Sequence, residues 1–230
     1  MSLKGKVLLH GKTDVGSFRD HNEDAIGCDE DIGLAVLADG MGGHRGGEMA
    51  SAITVSTILE QVTENTRQIK NGDTDNESGY SAESLIIFDA VTQANSNVHA
   101  SSEANAQYRG MGTTVVVVMF YDDRFTVAHV GDSRLYRLRD DKLEQITRDH
   151  SLMQELIDRG FYTPEQARNS LNKNLVTRAI GIDEHVQIDI QEDIVMVDDV
   201  YLLCSDGVTD MIQDHVIEMT MKENIDDLDK

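Results

Sequence analysis

The 230-residue sequence has no tryptophan, one proline and only two cysteines. Two cysteines are too few to staple a chain of this length, which excludes a disulfide-rich scaffold and favours a reducing compartment. Long apolar runs are also missing. The longest, VVVVMFY at 115–121, is far shorter than a membrane-spanning helix, and the N-terminal residues lack the apolar stretch of a signal peptide. We therefore expect a cytoplasmic protein that does not associate with membranes.

Basic residues are scarce as well. Twenty Lys and Arg stand against 42 Asp and Glu, giving a formal net charge of -22. Such a field repels nucleic acid and anionic membrane surfaces and attracts cations. Because 40% of the residues are hydrophobic and recur in periodic runs, the acidity belongs to a folded chain. We expect a monomer with a single domain over 1–230 that binds no nucleic acid.

The apolar spacing predicts both helices and strands. Residues 46–69 and 82–102 carry apolar side chains near helical spacing and predict a helical hairpin, joined by the polar stretch 71–80. Elsewhere, β-branched segments separated by Asp, Asn and Gly predict strands, and tight turns between them predict antiparallel pairing. Thr163 and Pro164 match the cap and first residue of a short helix. This arrangement favours an α+β fold with antiparallel sheets.

Acids recur where apolar segments stop. Three such segments end on an aspartate: Asp39, Asp132 and Asp206. Glu23 and Asp24 directly precede a fourth segment. If these ends meet, the carboxylates raise one another's pKa and destabilise the fold unless cations neutralise them. Oxygen ligands without a Cys/His cluster favour Mg²⁺ or Mn²⁺ over Zn²⁺. One Asp-Gly after a strand is usually a turn, so the metal prediction depends on the recurrence.

Six segments carry a resemblance to a known family. In order, they are TDVGSFRDHNEDA, ADGMGGHRGGEMAS, GMGTT, VAHVGDSRLYRLR, QITRDHS and LLCSDGVTD. The chain from Thr13 to Asp210 resembles the bacterial branch of the metal-dependent PP2C-type (PPM) protein serine/threonine phosphatases. The resemblance implies a four-layer α-β-β-α sandwich, with two mainly antiparallel sheets flanked by helical hairpins. It also implies hydrolysis of phosphoserine and phosphothreonine in proteins by a metal-activated water, opposing a bacterial Ser/Thr kinase.

The resemblance also implies a ligand set for two Mn²⁺ or Mg²⁺ ions and a third, looser one. The set is Asp24, Asp39, Gly40, Asp132 and Asp206. By analogy, Asp39 bridges two ions, the Gly40 carbonyl binds the first and Asp206 the second. Asp24 holds metal-bound water, and Asp132 shares the third ion with Asp206. An Asx-type turn into the next strand is the alternative for Asp132.

Two further residues match catalytic positions of that family. Arg19 corresponds to an arginine that binds phosphate, since a planar guanidinium grips two phosphate oxygens. A surface ion pair with Asp20 or Asp14 is the alternative. His44 follows the Asp-Gly motif and is either a general acid for the leaving oxygen or a bystander. Glu23 is a weaker candidate for the same outer shell as Asp24.

Other residues receive structural interpretations. The resemblance requires no covalent phosphoenzyme, so Cys28 and Cys204 are expected to be small core residues. Three histidines are expected to be structural or surface residues: His21, His129 and His150. Residues 151–178 match the family's mobile flap beside the active site, where substrate selection is expected.

The C-terminus departs from the family pattern. The family's last motif, a GGxDN turn followed by a closing strand, has no counterpart before the final residues ENIDDLDK. We therefore expect a chain truncated at its C-terminus, an under-ligated second metal and an exposed sheet edge. The main alternative function is a non-catalytic, phosphoprotein-binding regulatory module. A two-metal phosphoesterase acting on nucleotides is a weaker alternative, disfavoured by the acidic surface.

Overall fold

The computed structural model describes residues 3, 5–17, 19–42, 45–69, 78–225 and 227–228. Within these residues the strands are β1 (Asp24–Asp29), β2 (Leu34–Met41), β3 (Gly112–Thr113), β4 (Val115–Tyr121), β5 (Arg124–Val130), β6 (Arg134–Arg139), β7 (Lys142–Gln145), β8 (Asp189–Ile194) and β9 (Val200–Cys204). The α-helices are α1 (Gly46–Thr66), α2 (Ala82–Ala104), α3 (Leu152–Asp158), α4 (Pro164–Arg168), α5 (Asp206–Thr209) and α6 (Asp214–Glu223).

The strands form two antiparallel sheets. The larger sheet has the order β1-β2-β4-β5-β8, with β3 paired to the end of β2, and the smaller has the order β7-β6-β9. The central strand β4 is buried along its whole length, as expected for a run of β-branched residues covered on both faces. Val117 lies opposite Val36 on one side and Ala128 on the other. Because β2 and β5 both pair antiparallel with β4, their C-terminal ends lie at the same end of the sheet.

The core has three apolar layers between four layers of secondary structure. Helices α1 and α2 pack on one face of the larger sheet, where Ile58 and Val91 are fully buried. The opposite face packs on the smaller sheet through Phe125 and Leu135. Ile217 of α6 covers the outer face of the smaller sheet. The four-layer α-β-β-α architecture expected from the resemblance is confirmed.

Local signals in the sequence also place the turns. The β6–β7 hairpin turns on Asp140 and Asp141, both with positive φ, as a two-residue hairpin requires. Thr163 caps α4 in a capping box with Gln166, and Pro164 is its first residue. The helical hairpin is also present, although residues 71–77 of its predicted connection lie outside the described residues. None of the helices in the described residues is long and apolar enough to cross a membrane.

Two expectations are wrong. Asp39 does not end β2, because Gly40 and Met41 continue the strand by pairing with β3. Cys28 is exposed on the edge strand β1, whereas Cys204 is buried beneath α6 as predicted. Among the described residues no strand follows β9, which lies at one edge of the smaller sheet.

Candidate active site

Four sequence-distant aspartates meet at one end of the larger sheet. Asp24, the first residue of β1, is the direct antiparallel partner of Asp39 on β2, so their side chains share a face. Asp132 lies in the turn that follows β5, and Asp206 is the first residue of α5. The side chains of Asp24 and Asp206 both reach the Asp39 carboxyl at hydrogen-bonding range. The structure therefore brings together all four carboxylates that the sequence singled out.

These carboxylates are partly buried and repel one another. Burial, followed by the charges of Asp24 and Asp206, raises the pKa of Asp39 to about 9. Burial and the charge of Asp206 raise the pKa of Asp132 to about 6. Burial and nearby Asp210 also raise the pKa of Asp206. Such a cluster holds protons that a divalent cation can replace.

Hydroxyl groups that no sequence motif indicated form hydrogen bonds with two of these aspartates. The Ser205 hydroxyl donates a hydrogen bond of 2.9 Å to Oδ2 of Asp24. The Asp39 amide donates to Oγ1 of Thr114 at 3.1 Å, while the Thr114 amide and the Thr113 hydroxyl each donate to the Asp39 carbonyl at 2.8 Å. The only signal was the Thr-Thr pair ahead of the β4 valines, which indicated a strand start. Neither threonine's partner was readable from the local sequence.

The backbone around Gly40 leaves no space for a side chain. A Cβ at this position would lie 2.1 Å from the Gly47 carbonyl oxygen and 2.6 Å from that of Glu23. The Gly40 amide donates to the same Glu23 carbonyl at 3.0 Å. The glycine therefore lets β2, the start of α1 and the residue before β1 approach closely beside Asp39.

Arg19 lies beside the acids, paired with a residue other than the two considered from the sequence. Its Nη1 is 2.9 Å from Oε2 of Glu23, and its side chain is 64% exposed. Its positive charge lowers the pKa of Asp206, against the larger upward effect of burial. The ion-pair alternative with Asp20 or Asp14 is therefore replaced by a pair with Glu23. His44 lies outside the described residues.

The segment 151–178 lies next to this cluster. Nζ of Lys173 is 2.8 Å from Oδ2 of Asp210, the residue whose charge acts on Asp206. The same segment exposes large apolar side chains, including Phe161 and Leu171. The segment therefore combines exposed apolar side chains with a direct contact to Asp210.

The cysteines do not have the properties of nucleophiles. Burial raises the pKa of Cys204 to about 12. Partial burial and the charge of Glu30 raise the pKa of Cys28. Since the thiolate is the reactive form, neither side chain is activated.

Comparisons with known proteins agree with this arrangement. The family model described as "Protein phosphatase 2C" matches residues 19–225. The serine/threonine phosphatase Stp of Listeria innocua is 34% identical over 216 residues, covering 92% of this chain and 81% of that protein. The protein phosphatase PhpP of Streptococcus pneumoniae is 37% identical over 225 residues, covering 95% and 85%.

A solved structure adds the metal content of a similar site. The catalytic domain of the serine/threonine protein phosphatase PstP in complex with two manganese ions superposes with a TM-score of 0.78 at 34% identity. The match covers 92% of this chain and 82% of that one. A protein of this fold thus binds two divalent cations.

Proposed function

The chain belongs to the protein phosphatase 2C family, and we propose that it hydrolyses phosphoserine and phosphothreonine in proteins with Mn²⁺ or Mg²⁺ as cofactor. One observation of the structure carries the proposal: the carboxylates of Asp24, Asp39, Asp132 and Asp206 form one partly buried cluster. Relatives named as serine/threonine phosphatases match nearly the whole chain and support catalysis over the non-catalytic alternative.

The donor set fits hard divalent cations. It consists of carboxylate oxygens, together with a close-packed glycine backbone, and burial and nearby carboxylates raise the pKa values of Asp39, Asp132 and Asp206. Cations bound there remove both unfavourable effects, because they replace the retained protons and neutralise the buried charge. We propose that Asp39 and Asp206 hold two ions with the Gly40 carbonyl, that Asp24 orients their water ligands, and that Asp132 and Asp206 hold a third.

The remaining groups bind and orient the substrate. When bound, divalent cations lower the pKa of a water molecule and stabilise the charge that develops on a phosphoryl group. The Arg19 guanidinium is placed to bind phosphate oxygens, since it is largely exposed and adjacent to the acids. Glu23 holds the guanidinium in place before substrate arrives. Water donates its oxygen to phosphorus, and the serine or threonine oxygen leaves with a proton, for which His44 remains a proposed donor.

The function is tested with a phosphothreonine peptide and purified protein. We expect release of inorganic phosphate that requires Mn²⁺ or Mg²⁺. Asp39→Asn is expected to remove turnover and tight Mn²⁺ binding together. Asp29→Asn, at the far end of the neighbouring strand β1, is the control, since the Asp29 side chain accepts a hydrogen bond from the Asp31 amide. Tight peptide binding without hydrolysis at saturating Mn²⁺ would favour the non-catalytic module instead.

The biological setting is also a proposal. Because the substrate carries a phosphoryl group on serine or threonine, a protein kinase of matching specificity must supply it. We propose that this kinase and its targets are the partners, that the protein acts as a monomer, and that it works in the cytoplasm, where the unpaired Cys28 and Cys204 stay reduced. The segment 151–178 is the proposed surface for substrate selection. Light scattering and cell fractionation test the oligomeric state and the location.

A further inference from the structure

A second cluster of titratable groups lies next to the acid pocket. The side chains of His129, His150 and Asp189 place their ligating atoms within 4.8 Å of one another. The two imidazole rings stack with centroids 4.6 Å apart and an angle of 18° between their planes, and both residues are 6% exposed. Two histidines and one aspartate are a common ligand set for a transition metal. Whether this cluster can bind a metal depends on which ring nitrogens already carry a proton.

Those hydrogen bonds argue against a metal. The Gly131 amide donates to Nδ1 of His150 at 3.1 Å, so Nδ1 carries no proton. The proton of the neutral ring is then on Nε2, which lies 3.2 Å from both Oδ2 of Asp189 and Nη1 of Arg178. Because a guanidinium can only donate, this proton is directed to the Asp189 carboxylate, and the Arg178 contact is not a hydrogen bond. Ligation through Nε2 would require the loss of that proton as well. The cation position beside Asp189 is also filled, because Nη1 of Arg178 is 2.8 Å from its Oδ1.

The same bonds attach His150 to the turn that carries Asp132. The His150 amide donates to the Gly131 carbonyl at 2.9 Å, and its ring accepts from the Gly131 amide. Gly131 has a φ of 105°, and a Cβ there would lie 2.7 Å from Thr114, so this residue must be glycine. His150 therefore holds both peptide groups of a residue in an unusual conformation, directly before Asp132.

His150 also lies at the base of the segment 151–178. The Thr177 amide donates to the His150 carbonyl at 2.8 Å, and the Leu152 amide donates to the Leu175 carbonyl at 2.9 Å. One residue thus contacts the Asp132 turn through its ring and amide, and the returning end of the segment through its carbonyl.

We propose that His150 is a positioning residue whose Nδ1 fixes the Gly131 amide, so that the Asp132 carboxylate is directed toward Asp206 and the base of segment 151–178 is joined to the metal site. The inference depends on the proposed function, because it assigns a metal-binding role to Asp132. Burial and neighbouring His129 lower the pKa of His150, which is consistent with a neutral ring that accepts at Nδ1. His129 supports the ring by stacking, with its own Nε2 donating to the Arg148 carbonyl at 2.8 Å.

Two substitutions at His150 separate positioning from packing. In His150→Asn the amide oxygen lies near the place of Nδ1 and can accept from Gly131, whereas in His150→Gln the amide reaches the place of Nε2 and leaves the Gly131 amide without an acceptor. Mn²⁺ titrations should show the weakest site within about threefold of wild type in H150N and weakened about tenfold or more in H150Q. Equal effects in both variants, or none in H150Q, would overturn the proposal.

A double-mutant cycle tests whether the effect passes through Asp132. Adding H150Q to Asp132→Asn should leave kcat, KM and Mn²⁺ affinity unchanged beyond the single D132N variant, while additive losses would place the role of His150 elsewhere. Asp189→Asn is the control, since it removes an ion pair with Arg178 and keeps the bond to Gly131. We expect its Mn²⁺ affinity to stay within about threefold of wild type.

Amide hydrogen exchange at Gly131 provides a readout that needs neither activity nor the folding of H150Q. We expect strong protection in the wild-type protein and in H150N. Exchange at the rate of an unstructured amide in the wild type would overturn the positioning role. Protection of Gly131 in a protein that hydrolyses no phosphothreonine peptide would instead count against the proposed function alone.

Discussion

At the scale of single residues, one hydroxyl joins strand β2 at Asp39 to the turn that carries Asp132. Oγ1 of Thr114 accepts from the Asp39 amide and lies 2.7 Å from the Ser133 hydroxyl. Thr114 is 4% exposed, so water cannot replace the hydroxyl easily. The relative placement of two proposed metal ligands thus depends on a residue that binds no metal itself.

Thr114→Val keeps the shape of the side chain and removes this connection. We expect a loss of about 1–2 kcal/mol in the free energy of unfolding, because the buried Asp39 amide and Ser133 hydroxyl lose a partner. Mn²⁺ affinity should fall with it. Thr114→Ser keeps the hydroxyl and is the control, expected to retain Mn²⁺ affinity. Urea unfolding and Mn²⁺ titration of both variants check this, and equal metal affinity in the two would contradict it.

Arg19 allows a test of substrate binding without loss of metal. Arg19→Lys keeps the charge and loses the planar fork that grips two phosphate oxygens, so we expect KM for a phosphothreonine peptide to rise about tenfold with Mn²⁺ affinity unchanged. Arg124→Lys is a matched control, since the Arg124 side chain is 58% exposed, also pairs with a glutamate, Glu192, and lies at the opposite end of β5 from Asp132. Steady-state kinetics with both variants decide the matter, and an unchanged KM in R19K would count against phosphate binding.

At the scale of elements, the sequence predicts what depends on nearby residues and misses what depends on distant ones. The α1–α2 pair, the β6–β7 hairpin and the cap of α4 follow from local spacing and turn residues. The extension of β2 past Asp39 does not, because it requires pairing with Thr113 more than 70 residues later.

The candidate site shows the same division. Asp24, Asp39 and Asp206 stand out because acids recur beside apolar segments and match a family's motifs. The bond from Ser205 to Asp24 spans 181 positions and leaves no local pattern. The exposure of Cys28 likewise depends on β1 being an edge strand, which only the assembled sheet reveals.

The start of α2 illustrates an element held by a residue far along the chain. Glu192 on β8 accepts from the amide and the hydroxyl of Ser81, both at 2.8 Å, and from the Ser84 hydroxyl. Although burial raises the pKa of Glu192, these bonds outweigh it and lower that pKa below its usual value. The larger sheet and the helical layer are thereby joined at the N-terminus of α2.

Glu192→Gln should lower the free energy of unfolding by about 1–2 kcal/mol at pH 7. A depressed pKa contributes stability above the unfolded-state value and loses it as pH falls through the folded-state value. The difference between wild type and E192Q should therefore shrink below about pH 4.5, the ordinary glutamate value. Urea unfolding from pH 3.5 to 7 measures it, with Glu64→Gln on the exposed side of α1 as control. A difference that persists unchanged at low pH would contradict the assignment.

At the scale of the whole molecule, the fold and the cofactor are linked through charge. The chain carries a net charge of -22, and four carboxylates are concentrated in one partly buried cluster. The pKa values of Asp39 and Asp132, about 9 and about 6, lie above the ordinary value of 3.8. Between pH 4 and pH 9 these two groups therefore bind more protons in the folded, metal-free protein than in the unfolded chain. Their contribution to stability must fall as the pH rises through that window.

Divalent cations should reverse this pH dependence. With a chelator present, we expect the Tm to fall from pH 5 to pH 9; a loss of about 2 kcal/mol lowers the Tm by about 4–8 °C in a domain of this size. With saturating Mn²⁺ the Tm should stay level or rise, because metal affinity increases as the acids lose their protons. Sodium chloride at matched ionic strength separates specific binding from general screening of the acidic surface.

Asp39→Asn tests whether the aspartate cluster, and not the overall acidity of the chain, causes this dependence of stability on pH and metal. Without metal, this variant should be more stable than wild type at pH 8 by about 1–3 kcal/mol, because unfolding of the wild type lets the Asp39 carboxyl, with its raised pKa, release a proton, whereas a neutral amide gains nothing from unfolding. With Mn²⁺ the order should invert, since only the wild type gains binding energy. The Tm of both proteins is measured with chelator and with Mn²⁺. If the variant is the more stable protein with chelator and the wild type is the more stable with Mn²⁺, the aspartate cluster links folding to cofactor binding. Parallel shifts of the two proteins would show that the linkage lies elsewhere on the acidic surface.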